Sequence, residues 1–235
     1  MKVDSFKKHM TAETLMGPNN LRILEEMFSR YPMNLSTDDL VLDLGCGKGL
    51  TSFAAACETA AKVYACDLWI SAEDNQKRFS QWGVSERVVP FHTDANELQF
   101  EKNLFRAMIS VDAYHYFATE KDFFAEKILP FLKDGAEVWI GVPGIKTEFS
   151  GRSEELLSEW LGDEAYMFRS PTEWERIIGW NDRMKEMETW EMECFELAWQ
   201  EWLATGQKFA LGDKPFFENI IRPYTCFVGI HIKLK

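Results

Sequence analysis

Short apolar runs alternate with amphipathic stretches over the first two thirds of the chain, and each run has the length of a buried strand. The runs predict strands at Leu40 to Leu44, Lys62 to Leu68, Val88 to His92, Ala107 to Asp112 and Glu137 to Val142. Helical spacing of Leu21, Leu24, Phe28 and Tyr31 follows a Gly17-Pro18-Asn19 start, and Pro32 ends it. Further helices are expected over Thr51 to Thr59, Ala72 to Trp82 and Lys121 to Leu132, the last stopped near Gly135 by the preference of helix ends for glycine. Strand and helix in alternation are the pattern of βαβ units and a mostly parallel sheet. Beyond Gly144 the rhythm changes to two or three helical pieces rich in Trp and Glu, before a last strand at Thr225 to Leu234.

With 235 residues, no internal repeat and no low-complexity linker, the chain reads as one domain over 1–235. Within it, 1–39 form an N-terminal helical segment and 145–223 a helical elaboration on the substrate side. Hydrophobic residues make up 46%, enough for a globular core, yet no run of about eighteen apolar residues is present that would cross a bilayer. The five cysteines are odd in number and form no C-x-x-C pair, which argues against a disulfide framework or a zinc knuckle, and no metal is expected. Together with the absence of a secretory signal at MKVDSFKKHM, this leads us to expect a cytoplasmic protein. A net charge of −12 repels a phosphate backbone and an anionic membrane surface, so neither nucleic acid nor membrane is expected as a partner.

The candidate chemistry begins at Val41 to Ser52, VLDLGCGKGLTS, a buried strand running into a glycine turn and a helix start. The G-x-G-x-G spacing of Gly45, Gly47 and Gly49 is one residue tighter than the dinucleotide-binding G-x-G-x-x-G. Asp67 follows at the end of the second predicted strand, where an acidic side chain accepts hydrogen bonds from a ribose diol. Both nicotinamide and adenosylmethionine chemistry use such a residue. Two features separate them. Asp43, at the carboxyl end of the first strand, suits a cationic amino-acid tail and repels a pyrophosphate. In FHTDANEL, Asp94 and Ala95 stand after the third strand, where a carboxylate accepts from an adenine amino group beside a backbone N–H.

In order along the chain, VLDLGCGKG, VYACDL, HTDANEL and ISVDAYHYF resemble the motifs of the class I S-adenosylmethionine-dependent methyltransferases, small-molecule type, over roughly Leu40 to Gly144. The resemblance implies an α/β fold: a Rossmann-like, doubly wound, seven-stranded sheet, mostly parallel with an antiparallel last strand, and helices on both faces. It implies S-adenosyl-L-methionine as cofactor, held by Asp43, Gly45, Cys46, Gly47, Gly49, Asp67, Leu68, Trp69, Asp94, Ala95 and Val111. The implied reaction is methyl transfer to a small molecule by a monomer or homodimer. Two other readings stay open, a nicotinamide-dependent oxidoreductase on a similar fold and a cofactor-binding protein without turnover.

In-line methyl transfer requires alignment of an acceptor lone pair and removal of any proton the acceptor carries. Asp112, Tyr114 and His115 are candidates for that chemistry, and Tyr116 for acceptor contact, because the fourth strand ends at the face where the resemblance implies that substrate binds. The alternative is that this aromatic strand end simply packs, with His115 a structural histidine. Trp69 either covers an adenine ring or belongs to the core, and Lys48 is expected to point away from the like-charged sulfonium. LMGPNNL, with Met16 and Asn19, reads as a lid over the cofactor or as a plain helix start. In MKEMETWEMECFELAWQEWLATG, a helical wheel puts Glu191 in the apolar arc of Phe195, Ala198 and Trp202. Glu191 is then a first-turn residue near a Thr189 cap, or, with Trp190, part of an aromatic and carboxylate pocket for a cationic amine, the acceptor slightly favoured.

Overall fold

The computed structural model describes residues 1–235. Seven strands form one sheet: β1 (Leu40–Leu44), β2 (Lys62–Asp67), β3 (Val88–His92), β4 (Phe105–Val111), β5 (Leu132–Ile145), β6 (Met184–Glu191) and β7 (Thr225–Leu234). Their order across the sheet is β3-β2-β1-β4-β5-β7-β6. Neighbours from β3 to β5 pair in parallel, whereas β7 pairs antiparallel with both β5 and β6. The strand order reverses at β1 and β4, which opens a crevice beyond their carboxyl ends.

The sheet is covered on both faces, which explains why its strands read as near-continuous apolar runs. On one face Val41, Val63, Ala107, Ile109 and Trp139 pack with α1 (Asn20–Arg30), α2 (Leu50–Glu58), Phe79 of α3 (Ala72–Gln81) and the aromatic residues of α6 (Phe195–Ala204). On the other, Leu42, Met108, Val138, Ile140 and Ile230 pack with Phe124, Ile128 and Trp174 of α5 (Pro171–Ile178). The elaboration also holds α4 (Ser153–Leu161) and α7 (Lys208–Phe216). Helix α1 starts where the sequence indicates: the Asn19 side chain accepts from Leu21 N at 3.1 Å, and Leu21, Leu24 and Phe28 face the core. No helix is long and apolar enough to cross a membrane.

Two elements differ from the sequence expectation. Lys121 to Leu132 is not an α-helix but a π turn at Phe124–Ile128 followed by a 3-10 turn at Leu129–Phe131. Pro130 lacks the N–H that a continuing helix needs, and β5 starts directly after. Gly135 therefore lies inside β5 at φ +70°, its N–H donating to Lys235 O at 2.6 Å, and caps nothing. Met184–Glu191 is an edge strand rather than a helix, with a register shift between Met184 and Glu186. Its charges Lys185, Glu186, Glu188 and Glu191 suit an exposed edge. Glu191 consequently shares no helical face with Phe195, and Thr189 caps no helix.

Candidate active site

The glycine turn is held by its own backbone. Gly45 N and Cys46 N donate to Cys66 O at 2.8 and 3.0 Å, lashing the turn to β2. Gly45, Gly47 and Gly49 sit at φ +75°, +54° and +82°, a region that side chains with a Cβ rarely adopt. Space is limiting as well: a Cβ on Gly45 would stand 2.3 Å from Ala113 Cβ, and one on Gly49 2.4 Å from the Phe79 ring. Asp67 fixes the turn from the next strand. Its Oδ2 accepts from Gly47 N at 2.7 Å, while Oδ1 accepts from Trp69 N and Ile70 N at 2.8 Å each.

Above this turn lies a cavity of about 360 Å³, the size range of small-ligand sites. Of the sequence-predicted cofactor residues, it brings together Gly45, Cys46, Gly47, Asp67, Leu68, Trp69, Asp94, Ala95 and Val111. Trp69 is 65% exposed, which places it at the rim and not in the core. Asp94 Oδ1 accepts from Asn96 N and Nδ2 at 2.8 Å each, and these bonds hold its carboxyl below the usual range. Asp43 and Gly49 lie beneath the lining. Asp43 is fully buried, with Oδ2 accepting from Thr51 and Ser52 hydroxyls at 2.7 and 2.5 Å and Oδ1 without a partner. Burial pushes its carboxyl up to about 7, against the pull of those two hydroxyls.

The N-terminal segment closes one side. Thr14, Met16, Gly17, Pro18 and Asn20 line the cavity, and Lys48 Nζ donates to Glu13 O, tying the glycine turn to this segment. Asn19 is the buried cap of α1, its Nδ2 donating to Glu201 Oε2 at 2.6 Å, and stays outside the lining. Asn20, unremarked in the sequence, lines the wall with a buried Oδ1 that has no partner.

After β4, the four acceptor-side candidates part company. Asp112 and Tyr116 line the cavity; Tyr114 and His115 do not. Asp112 takes φ +55° and donates its N–H to Gly141 O at 2.7 Å, which turns its side chain toward Gly17, where a Cβ would stand 2.6 Å from Oδ2. Burial, and then the charge of Asp213, push the Asp112 carboxyl up to about 7. Tyr116 meets Trp69 edge-on at 5.0 Å between ring centres. Tyr114 is buried against Phe117, Phe123 and Trp174 on the opposite face of the sheet. His115 is 3% exposed, its ring 4.0 Å from that of Tyr116, and burial drives it down to about 3, so it is neutral at ordinary pH.

Trp190 and Glu191 are remote from the cavity. Trp190 packs over Gly229, donates to Glu26 at 3.2 Å and carries Arg30 on its face at 4.8 Å, while Glu191 accepts from Thr147 N at 2.7 Å. Besides Asn20, the sequence reading missed Thr93, Asn96, Ala113 and Phe117 in the lining. Thr93 and Asn96 flank Asp94 and Ala95 in HTDANEL, so their nearness was readable; Phe117, like Ala113, follows from the turn after β4.

Residues 41–135 match the family model described as a methyltransferase domain. Among solved structures, the geranyl diphosphate C-methyltransferase of Streptomyces coelicolor A3(2), in complex with S-adenosyl-L-homocysteine, superposes with a TM-score of 0.70 at 15% identity, over 91% of this chain and 77% of that one. Phosphoethanolamine N-methyltransferase 2 of Haemonchus contortus, in complex with S-adenosyl-L-methionine, gives a TM-score of 0.72 at 22% identity, over 94% of this chain and 54% of that one. At these identities the likeness is one of fold: the seven-stranded Rossmann-like sheet is shared with both of these structures. No curated protein matches the sequence.

Proposed function

We propose that the protein transfers a methyl group from S-adenosylmethionine to a small-molecule acceptor, with an amine nitrogen favoured. The observation that carries this reading is the cavity itself, with the Gly45 to Gly49 turn and Asp67 on one side and the open carboxylate of Asp112 on the other. The residues present fit the cofactor. Asp67 suits the ribose hydroxyls, Asp94 and the Ala95 amide the adenine edge, and the partnerless Asn20 Oδ1 an ammonium on the amino-acid tail. When bound, S-adenosylmethionine supplies a methyl group made electrophilic by its sulfonium charge.

The remaining work falls to the chain. The N-terminal segment and Trp69 shield the cavity from water, and Tyr116 borders the acceptor. Asp112 makes no side-chain hydrogen bond within the protein and titrates near 7, so near neutral pH it both attracts an ammonium and takes its proton. We assign the proton acceptor to Asp112 and not to His115, whose burial leaves it too weak a base. The test is transfer of labelled methyl from S-adenosylmethionine over a panel of small amines and phenols, with NADH oxidation as control. Amine methylation is expected; oxidoreductase turnover without methyl transfer, or adenosylmethionine binding without any transfer, would overturn the proposal.

A further inference from the structure

The aromatic and carboxylate cluster beside the cavity has no role in the reading above. Asp213, on α7, accepts from Trp160 Nε1 at 3.1 Å through one carboxylate oxygen and from Trp202 Nε1 at 3.0 Å through the other. Two neutral indoles orient the carboxylate and leave its charge unbalanced. Nearby Glu201 pairs with Arg22 at 2.7 Å and Glu196 with Arg222 at 2.7 Å, whereas no lysine or arginine approaches Asp213 to ion-pair distance.

The cluster lies outside the cavity lining, and a line of packed rings joins it to the acceptor side. From Tyr116 in the lining, ring contacts run to His115 at 4.0 Å, to Phe168 at 6.3 Å, to Trp160 at 5.5 Å and to Trp199 at 5.9 Å. Along this line two buried donor or acceptor groups have no partner: His115 Nδ1 and Trp199 Nε1, on side chains 3% and 4% exposed. A buried polar atom left unpaired is costly, and a ligand group is one way such atoms become satisfied. The charge of Asp213 is felt at both Asp112 and Tyr116, so a cation between them would relieve a repulsion already present.

Resting on the methyltransferase reading, we infer that the acceptor pocket extends from Asp112 toward this cluster, and that Asp213 is a specificity-determining residue that selects a cationic amine. Aromatic faces and a carboxylate held only by two neutral indoles together favour an alkylammonium over a neutral or anionic molecule of the same size. The carboxylate of the amine pocket sought at Glu191 is thus supplied from α7.

The experiment compares the wild type with Asp213→Asn and Asp213→Glu over size-matched primary and secondary amines, phenols and carboxylic acids, measuring kcat and KM and, by calorimetry, S-adenosylhomocysteine affinity. The wild type should prefer amines. Asp213→Asn should lower kcat/KM for amines by roughly 10- to 100-fold, mainly through KM, as expected for loss of a charge-assisted contact. Phenol turnover and S-adenosylhomocysteine affinity should be unchanged, and Asp213→Glu should restore part of the amine preference. Equal losses for amines and phenols would mark Asp213 as a packing residue and overturn the inference. An unaltered preference in Asp213→Asn would overturn it too, as would a wild type that binds S-adenosylhomocysteine but favours phenols or acids or methylates no amine. A wild type with no affinity for S-adenosylhomocysteine fails at the earlier step and overturns the methyltransferase reading itself.

Discussion

The two walls of the cavity are built by different means. The wall proposed for the cofactor is backbone: glycines at positive φ, amides directed at Asp67, and short segments at 43–49, 67–70 and 93–96. The wall proposed for the acceptor is side chain, assembled from residues far apart in the chain, with Asp112 and Tyr116 after β4 and Met16 from the N-terminal segment, and the Trp160, Trp202 and Asp213 cluster outside the lining. A wall of backbone geometry suits a ligand that stays the same. A wall of interchangeable side chains suits a ligand that differs from one enzyme to another on the same fold.

The comparison breaks if either wall can be altered without the expected separation of effects. The largest effect should come from Asp112→Asn, which removes the proton acceptor: kcat with an amine should fall by roughly 10² to 10⁴ while cofactor affinity holds. In the wild type, kcat/KM for an amine should climb with pH through about 7, because Asp112 must lose its proton before it can take one. Asp112→Asn should flatten that limb, and a persisting limb in the variant would move the base elsewhere.

Next in size is a pH effect on stability from Asp43 under the glycine turn. Its carboxyl is raised in the folded state to about 7 from an unfolded value near 3.8, so between those values the folded chain holds the extra proton. Stability therefore falls as pH rises from about 4 to about 7, by at most about 1.4 kcal/mol per unit, and levels off above. Denaturant melts of Asp43→Asn and wild type across that range should converge at low pH and diverge toward neutrality; parallel curves would show that Asp43 is ionised throughout.

Gly45→Ala tests the backbone wall more bluntly. Left-handed strain and a contact with Ala113 add up to about 3 kcal/mol of lost stability, with cofactor binding lost too. A variant with native melting and affinity would show that the turn has room to relax. The smallest effect belongs to Asp67→Ala, for which calorimetry should find cofactor binding weaker by about 1–3 kcal/mol, the loss of a charged hydrogen-bond acceptor. Unchanged affinity would mean that the ribose lies elsewhere.

The same division decided what was legible in the sequence. β1 to β3 and β7 fall close to the apolar runs, and the glycine turn, Asp67 and Asp94 follow from short motifs that can be read in place, each with hydrogen bonds inside its own segment. β6 escaped because Met184, Met187, Trp190 and Glu191 repeat at three- and four-residue spacing, which imitates a helix, while pairing with β7 across some forty residues decides the outcome. Pro130 was a local signal against the helix expected at Lys121 to Leu132. His115 and Asp112 stand three residues apart in one turn, and only the positive φ of Asp112 sends its carboxylate into the cavity while His115 is buried. Asp213 had no local mark at all, since its significance lies in two tryptophans, one of them fifty-three residues away.

The proposed function depends on whether the backbone wall holds S-adenosylmethionine. Titration calorimetry of the wild type with S-adenosylmethionine, S-adenosylhomocysteine and NADH tests it most directly. One-site isotherms are expected for the first two ligands, weakened in Asp67→Ala and abolished in Gly45→Ala, with no heat from NADH. An NADH isotherm in the absence of binding by either adenosyl ligand would contradict it.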